Sequence, residues 1–245
     1  KKKVLKKDEP LREYAYRMEQ GHRHGQQFGL IALGLFRDQD EIDNHTPQSL
    51  GSTPQPGDVK YLDYNGDGIV DEDDKVPIGF SNIPEISYGF GAQFMWKNFD
   101  LGIFFRGQDR VSYRLSGSGY IPFRTGVGTG NLYDKALDRW TPENPDQNAF
   151  YPRLTETSVN NNWAHNSTRN IYNGRFLRLD NLEVGYTFSR KTLAAIGINN
   201  LRVYFSGNNL ALFSKWKMWD PETGSNNGAQ YPISRQLNFG VKVNF

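Results

Sequence analysis

The segment from Gln236 to Phe245 constrains the fold most, because its side chains alternate without a break. Leu237, Phe239, Val241, Val243 and Phe245 share one face, while Gln236, Asn238, Gly240, Lys242 and Asn244 share the other. Successive residues of a strand point to opposite sides of its sheet, so a period of two marks a strand with one apolar and one polar face. A strand that crosses a bilayer obliquely takes about 9–11 residues, its apolar side chains toward lipid and its polar ones toward a lumen. The segment meets both conditions. An edge strand of a soluble sandwich also alternates, but such strands avoid setting a long apolar face beside open backbone groups.

Membrane location rests on alternation alone, since the sequence contains no apolar run of the roughly 18 residues that mark a membrane helix. The 34 aromatic residues, 13 Tyr, 16 Phe and 5 Trp, suit a barrel whose rings form girdles at both interfaces. Absence of cysteine removes disulfides, thiol catalysis and thiolate metal sites together. A net charge of +2 speaks against a nucleic-acid partner, and the run Lys1, Lys2, Lys3, Lys6, Lys7 reads as a solvated loop because Asp8 and Glu9 follow it. No signal peptide opens the chain, so processing or truncation is expected to have removed the beginning of an exported protein.

Further alternating runs precede the closing one. Leu201, Val203 and Phe205 alternate with Arg202, Tyr204 and Ser206 before a loop expected to begin at Gly207-Asn208-Asn209. Phe176 to Phe188 reads as one strand with a change of phase near Asp180, which predicts a bulge. Ile86 to Trp96 and Phe99 to Phe105 are two opposed runs around Lys97-Asn98, the signature of a tight hairpin. Phe28 to Phe36 reads as another strand and Leu11 to Met18 as a weaker one. The connections 211–235, 108–175 and 37–84 are long, whereas 189–200 and 97–98 are short. Outer-membrane barrels alternate long outer loops with short periplasmic turns, and this order follows with the C-terminus in the periplasm. Six or seven strands cannot close around such loops, because the smallest membrane barrels use about eight, so the chain is expected to be incomplete. The closing strand should pair with the strand near Leu201 to Phe205 and, on its other edge, with a first strand that the chain lacks.

The sharpest local motif runs from Asp63 to Asp74 and matches a twelve-residue EF-hand loop. Asp63, Asn65, Asp67, Asp71 and Asp74 supply side-chain oxygens at loop positions 1, 3, 5, 9 and 12, and Ile69 supplies its carbonyl at position 7. Gly68 stands at position 6, where the chain turns sharply. These residues are the expected Ca2+ ligands. Aspartate replaces the usual glutamate at position 12, which leaves Glu72 and Asp73 as possible substitutes. The competing reading is an acidic turn held by Asx hydrogen bonds. No amphipathic helices flank the loop, so a rigid staple across residues 56–80 is expected rather than a calcium sensor.

Several stretches together resemble the SusC/RagA family of TonB-dependent outer-membrane transporters. They are Pro56-Gly57-Asp58-Val59-Lys60-Tyr61, Val76-Pro77-Ile78-Gly79, Pro84-Glu85-Ile86-Ser87-Tyr88-Gly89-Phe90, Phe99-Asp100-Leu101 and Phe104-Phe105-Arg106-Gly107. Tyr151-Pro152-Arg153-Leu154, the run from Phe176 to Tyr186, Gly207-Asn208-Asn209-Leu210, Trp219-Asp220-Pro221-Glu222 and Tyr231-Pro232 complete the set. The resemblance implies that residues 1–245 are the C-terminal part of an all-β, antiparallel transmembrane barrel, plugged and of about 22 strands, in the outer membrane. It implies import of oligosaccharides or peptides, a SusD-like surface lipoprotein as partner, and energy from TonB-ExbB-ExbD through an N-terminal region that this chain lacks.

An enzyme is not expected. His22, His24, His45 and His165 are the available imidazoles, no Gly-x-Ser-x-Gly elbow occurs, and Gly126, Gly128 and Gly130 lack a strand-turn-helix context. The alternative to a transporter is a secreted, calcium-stabilised, glycan-binding β-domain. Trp140, Trp163, Trp216 and Trp219 fall in expected outer loops, where they either stack on sugar rings or pack the loops.

Overall fold

Alternation in the sequence becomes strand structure in the computed structural model, which describes residues 3–117, 119–123, 132–155, 162–193, 197–224 and 230–244. The elements in chain order are β1 (Gln27–Gly29), β2 (Ala32–Leu35), α1 (Gln39–Asp43), β3 (Val59–Tyr61), β4 (Val76–Ile78), β5 (Ile86–Trp96) and β6 (Phe99–Asp109). They continue with β7 (Ser112–Arg114), β8 (Ile171–Asn173), β9 (Phe176–Thr187), α2 (Arg190–Leu193), β10 (Asn200–Ser214) and β11 (Gln236–Asn244). The chain divides into two units, one made of residues 1–83, 111–173 and 223–230, the other of residues 84–110, 174–222 and 231–245.

The second unit is an antiparallel five-stranded sheet in the order β11-β10-β9-β6-β5. Lys97, at φ 55°, turns the two-residue hairpin between β5 and β6, and Trp96 faces Phe99 across it. β11 pairs with β10 from Leu201 opposite Val243 to Gly207 opposite Leu237, as expected for the closing strand. Register puts Phe90, Phe94 and Trp96 of β5 on one face with Phe105, Leu101 and Phe99 of β6. The same face continues through Val184 of β9, Phe205 of β10 and Phe239 of β11. Asp100, Glu183, Arg202 and Lys242 line the opposite face. Phe239 is 83% exposed and Val241 63%, although burying one such side chain is worth about 1.5–3 kcal/mol. A sheet that turns its apolar side outward along every strand is built for an apolar surround.

Two irregularities interrupt the ladder at one height. Phe104 faces Asn181 but Phe105 faces Leu179, so Asp180 is the extra residue of a bulge where the sequence changes phase. Across the other edge of β9, Asn208 faces Asn181 and Ala211 faces Leu179, so β10 carries Asn209 and Leu210 against Asp180. The sequence places a loop from Gly207 onward, and the structure corrects this. β10 runs on to Ser214 because Asn209, at φ 53°, absorbs the bulge and pairing with β9 resumes.

Two other expected strands are not wall strands. Phe28 to Phe36 divides into β1, paired with β4, and β2, paired with β3, and Leu11 to Met18 holds only a 3-10 turn at Ala15–Arg17. The stretches 37–84 and 108–175 also exceed plain loops. Much of each folds into the first unit, around Leu30, Leu35, Leu50, Val59, Tyr61, Val70, Trp140 and Ala149. The short connection 189–200 carries the single turn of α2. Phe245 and the glycines 126, 128 and 130 lie outside the described residues.

Candidate functional site

The acidic loop hangs between β3 and β4 of the first unit, and its support begins in the Pro56-Gly57-Asp58 turn. Gly57 sits at φ 86°, and a Cβ there would run into the Trp140 ring, so only glycine fits. Asp58 is fully buried and accepts hydrogen bonds from Arg153 Nε at 2.6 Å, Asn162 Nδ2 at 2.9 Å and the Gln55 amide at 2.9 Å. Two motifs nearly a hundred residues apart thus meet in one ion pair, buried on its Asp58 side. Gln48 secures the next strand, accepting from the Tyr61 amide at 2.7 Å and donating to the Val59 carbonyl at 3.2 Å.

Within the loop, Asp63 accepts from the amides of Gly66 at 2.7 Å and Gly68 at 3.0 Å. Asn65 Oδ1 accepts from the Asp67 amide at 3.0 Å, and Asp67 Oδ1 accepts from the Ile69 amide at 2.9 Å. Gly66 and Gly68 take φ of 77° and 89°, which keeps the turn tight. Val70 is fully buried and bridges to Gln48, with its amide on the Pro47 carbonyl at 2.8 Å. Asp74 closes the loop from inside. It is fully buried and accepts from the amides of Tyr64 at 2.6 Å, Asn65 at 3.2 Å and Asp71 at 2.8 Å.

The neighbouring carboxylates are engaged elsewhere. Asp73 pairs with Arg17, while Glu72 meets Lys75 at 2.6 Å and His165 Nδ1 at 3.0 Å. Burial opposes ionisation of Glu72, but Lys75 and His165 outweigh it and hold its carboxyl below the ordinary value. Of the three carboxylates at the loop's end, Asp74 is the one hydrogen-bonded to the loop backbone from Tyr64 to Asp71. Among the described residues, no group of three or more His, Cys, Asp or Glu side chains converges as a metal cage. Donor chemistry still suits a hard cation, because a carboxylate oxygen that accepts one amide keeps another lone pair. Asp63, Asn65, Asp67, the Ile69 carbonyl, Asp71 and Asp74 are the residues that would hold it.

The polar face of the sheet is the second candidate. Near the β5–β6 hairpin, Arg202 bonds Asp100 and, at 2.6 Å, Glu183. Gly185 makes room for this pair, since a Cβ there would collide with Arg202 and Asp100. At the bulges, Arg106 bonds Asp180 at 2.8 Å and Glu222, while Arg178 bonds both oxygens of Asp220 at 2.7 and 2.6 Å and also Asn209. Sequence reading missed this node and the Asp58–Arg153 pair. Its one visible signal was the break in alternation that sets Arg178 and Asp180 among leucines. Of the loop tryptophans, Trp140 and Trp216 are packing residues at 6% and 9% exposure. Trp163 lies edge-on to Tyr120 at 5.2 Å, and Trp219 edge-on to Trp216 at 5.2 Å.

No protein-family model matches the chain. It is 32% identical over 231 residues to TonB-dependent receptor P26 of Formosa agariphila, across 89% of this chain and 22% of that protein. It is 27% identical to TonB-dependent receptor SusC of Bacteroides thetaiotaomicron, across 78% of this chain and 18% of that protein. The RagAB peptide transporter has a similar fold, with a TM-score of 0.62 at 23% identity over 90% of this chain and 23% of that chain. This chain therefore spans about a quarter or less of the length of its relatives. Its apolar-out, polar-in sheet and these likenesses agree: the chain belongs to the SusC/RagA family of TonB-dependent receptors, β-barrel proteins of the outer membrane.

Proposed function

We propose that this chain supplies barrel wall and outer loops to a receptor that imports oligosaccharides or peptides across the outer membrane. The sheet carries the reading, since its polar face can line a lumen only while its apolar face meets lipid. The RagAB peptide transporter, a similar fold, supports peptide cargo; oligosaccharide cargo and a SusD-like surface lipoprotein as partner follow from the family resemblance. TonB-ExbB-ExbD would supply the energy. The full receptor, tagged and purified from outer membranes in mild detergent, is expected to bring down one surface lipoprotein in equal amount. Cells are expected to take up labelled peptides or oligosaccharides only with TonB present. Uptake that persists without TonB would overturn energy coupling, and recovery of the receptor alone would overturn the partnership.

Calcium belongs to the same reading as the staple of the acidic loop, supported by ligand spacing, the glycine turns and the inward Asp74. Added Ca2+ should raise the melting temperature of the receptor, chelation should reverse the shift, and Asp63→Ala with Asp67→Ala should abolish it. A receptor indifferent to Ca2+ would leave Asx hydrogen bonds as the loop's sole support.

A further inference from the structure

Segment 215–222 leaves the end of β10, and both of its acidic residues return to arginines on the polar face of the sheet. Arg178 is 1% exposed, and a desolvated guanidinium is strongly disfavoured unless it is well paired. Its Nη2 meets both oxygens of Asp220 and lies 3.3 Å from Glu222, and its Nη1 meets Asn209. Arg106, two strands from β10, reaches Glu222 as well as Asp180. Both bulges serve this arrangement. The extra residue of β9 is Asp180 itself, and the left-handed residue of β10 is Asn209. Bulges re-aim side chains and are retained where they do so. Trp216, 9% exposed, lies edge-on against Trp219 within the same segment.

We infer that Arg106 and Arg178 are positioning residues that clamp segment 215–222 as an inward-folded strap over the polar face, where it restricts the lumen. This rests on the barrel reading for what lies beneath the strap, but the clamp itself is a property of the sheet. A strap held by ion pairs rather than strand pairing is released by removing charge without touching the wall.

The test measures strap position in the full receptor. Spin labels at Met218→Cys and Gly102→Cys would report the distance from strap to sheet, Gly102 being a polar-face site where an added Cβ meets nothing within 4 Å. A single narrow distance is expected for the otherwise unchanged receptor. Asp220→Asn with Glu222→Gln should broaden and lengthen it and raise amide exchange of residues 215–222 by at least about tenfold, with exchange in β5 and β6 unchanged. Arg106→Gln with Arg178→Gln, made on the sheet side, should broaden and lengthen the distance in the same way, an effect that packing within residues 215–222 alone would not produce. Distance and exchange that stay put in the neutralised variant overturn the clamp. Loss of heat-modifiable migration in the unmodified receptor would instead overturn the barrel reading and leave the clamp measurement standing.

Discussion

The two units use the same residue types in opposite directions. In the first unit, Val59 and Tyr61 alternate with Lys60 and bury completely, so its strands hold an interior. In the sheet, Phe239, Val241 and Val243 alternate just as regularly and lie exposed, so its strands need an exterior that is apolar. Charge follows the same inversion. Asp58 is fully desolvated and depends on Arg153, whereas Asp100 and Arg202 pair on a polar face at 30% and 24% exposure. Period-two patterning therefore states that a strand has two faces but not which one the protein keeps to itself.

This contrast predicts where single changes do most damage. Asp58→Ala should cost the first unit about 3–5 kcal/mol, because the hydrogen bonds to a buried carboxylate are lost at once: Asn162 and the Gln55 amide lose their acceptor, and the part-exposed Arg153 loses its partner. Amide exchange should rise across β2, β3 and the acidic loop and stay unchanged in β5 and β6. Equal loss of protection in both regions would show that they do not respond separately. Val241→Lys comes next, at about 2–4 kcal/mol against a bilayer, read as a reduced heat-modifiable fraction in outer membranes. Lys242, one residue on and facing the polar side, shows that the strand tolerates the same side chain there. Asn238→Lys, on that side, should change assembly by less than about 0.5 kcal/mol.

Sequence made the sheet legible because alternation is written locally and bulges appear as breaks in it. Asp180 was readable for that reason. The first unit was not, since its strands are three or four residues long and its core joins Leu30, Val70 and Trp140 from distant stretches. Period counting needs longer runs than that. Asparagine and glycine at 207–209 signal a turn, so the run of β10 beyond them stayed hidden. In the acidic loop, spacing gave the glycine turns but could not choose among Glu72, Asp73 and Asp74. Arg17 pairs with Asp73, and Lys75 and His165 pair with Glu72, and all three partners lie outside the motif.

The smallest effect sharpens the comparison through pH. Glu41 in α1 accepts from the Arg37 amide at 2.7 Å, from Lys60 Nζ at 2.5 Å and from Gln147. Burial works against its ionisation, yet the Arg37 amide and Lys60 prevail and hold its carboxyl below the ordinary value. A carboxylate with a lowered folded value stabilises the fold above its unfolded value, and that contribution disappears as pH falls through the folded one. Glu41→Gln should therefore cost about 0.2–1 kcal/mol near pH 7, discounted for the solvent that reaches the pair. The difference should shrink as pH falls from 7 toward about 3, because native Glu41 takes up its proton as pH passes through its lowered folded value. Val241→Lys, by contrast, should show the same defect at both pH values, because lowering the pH only favours the charged form of a lysine. Melting the Glu41 variant and its parent across that range separates a unit held by its own charges from a sheet held by its surroundings, and a pH-independent gap at Glu41 would break the distinction.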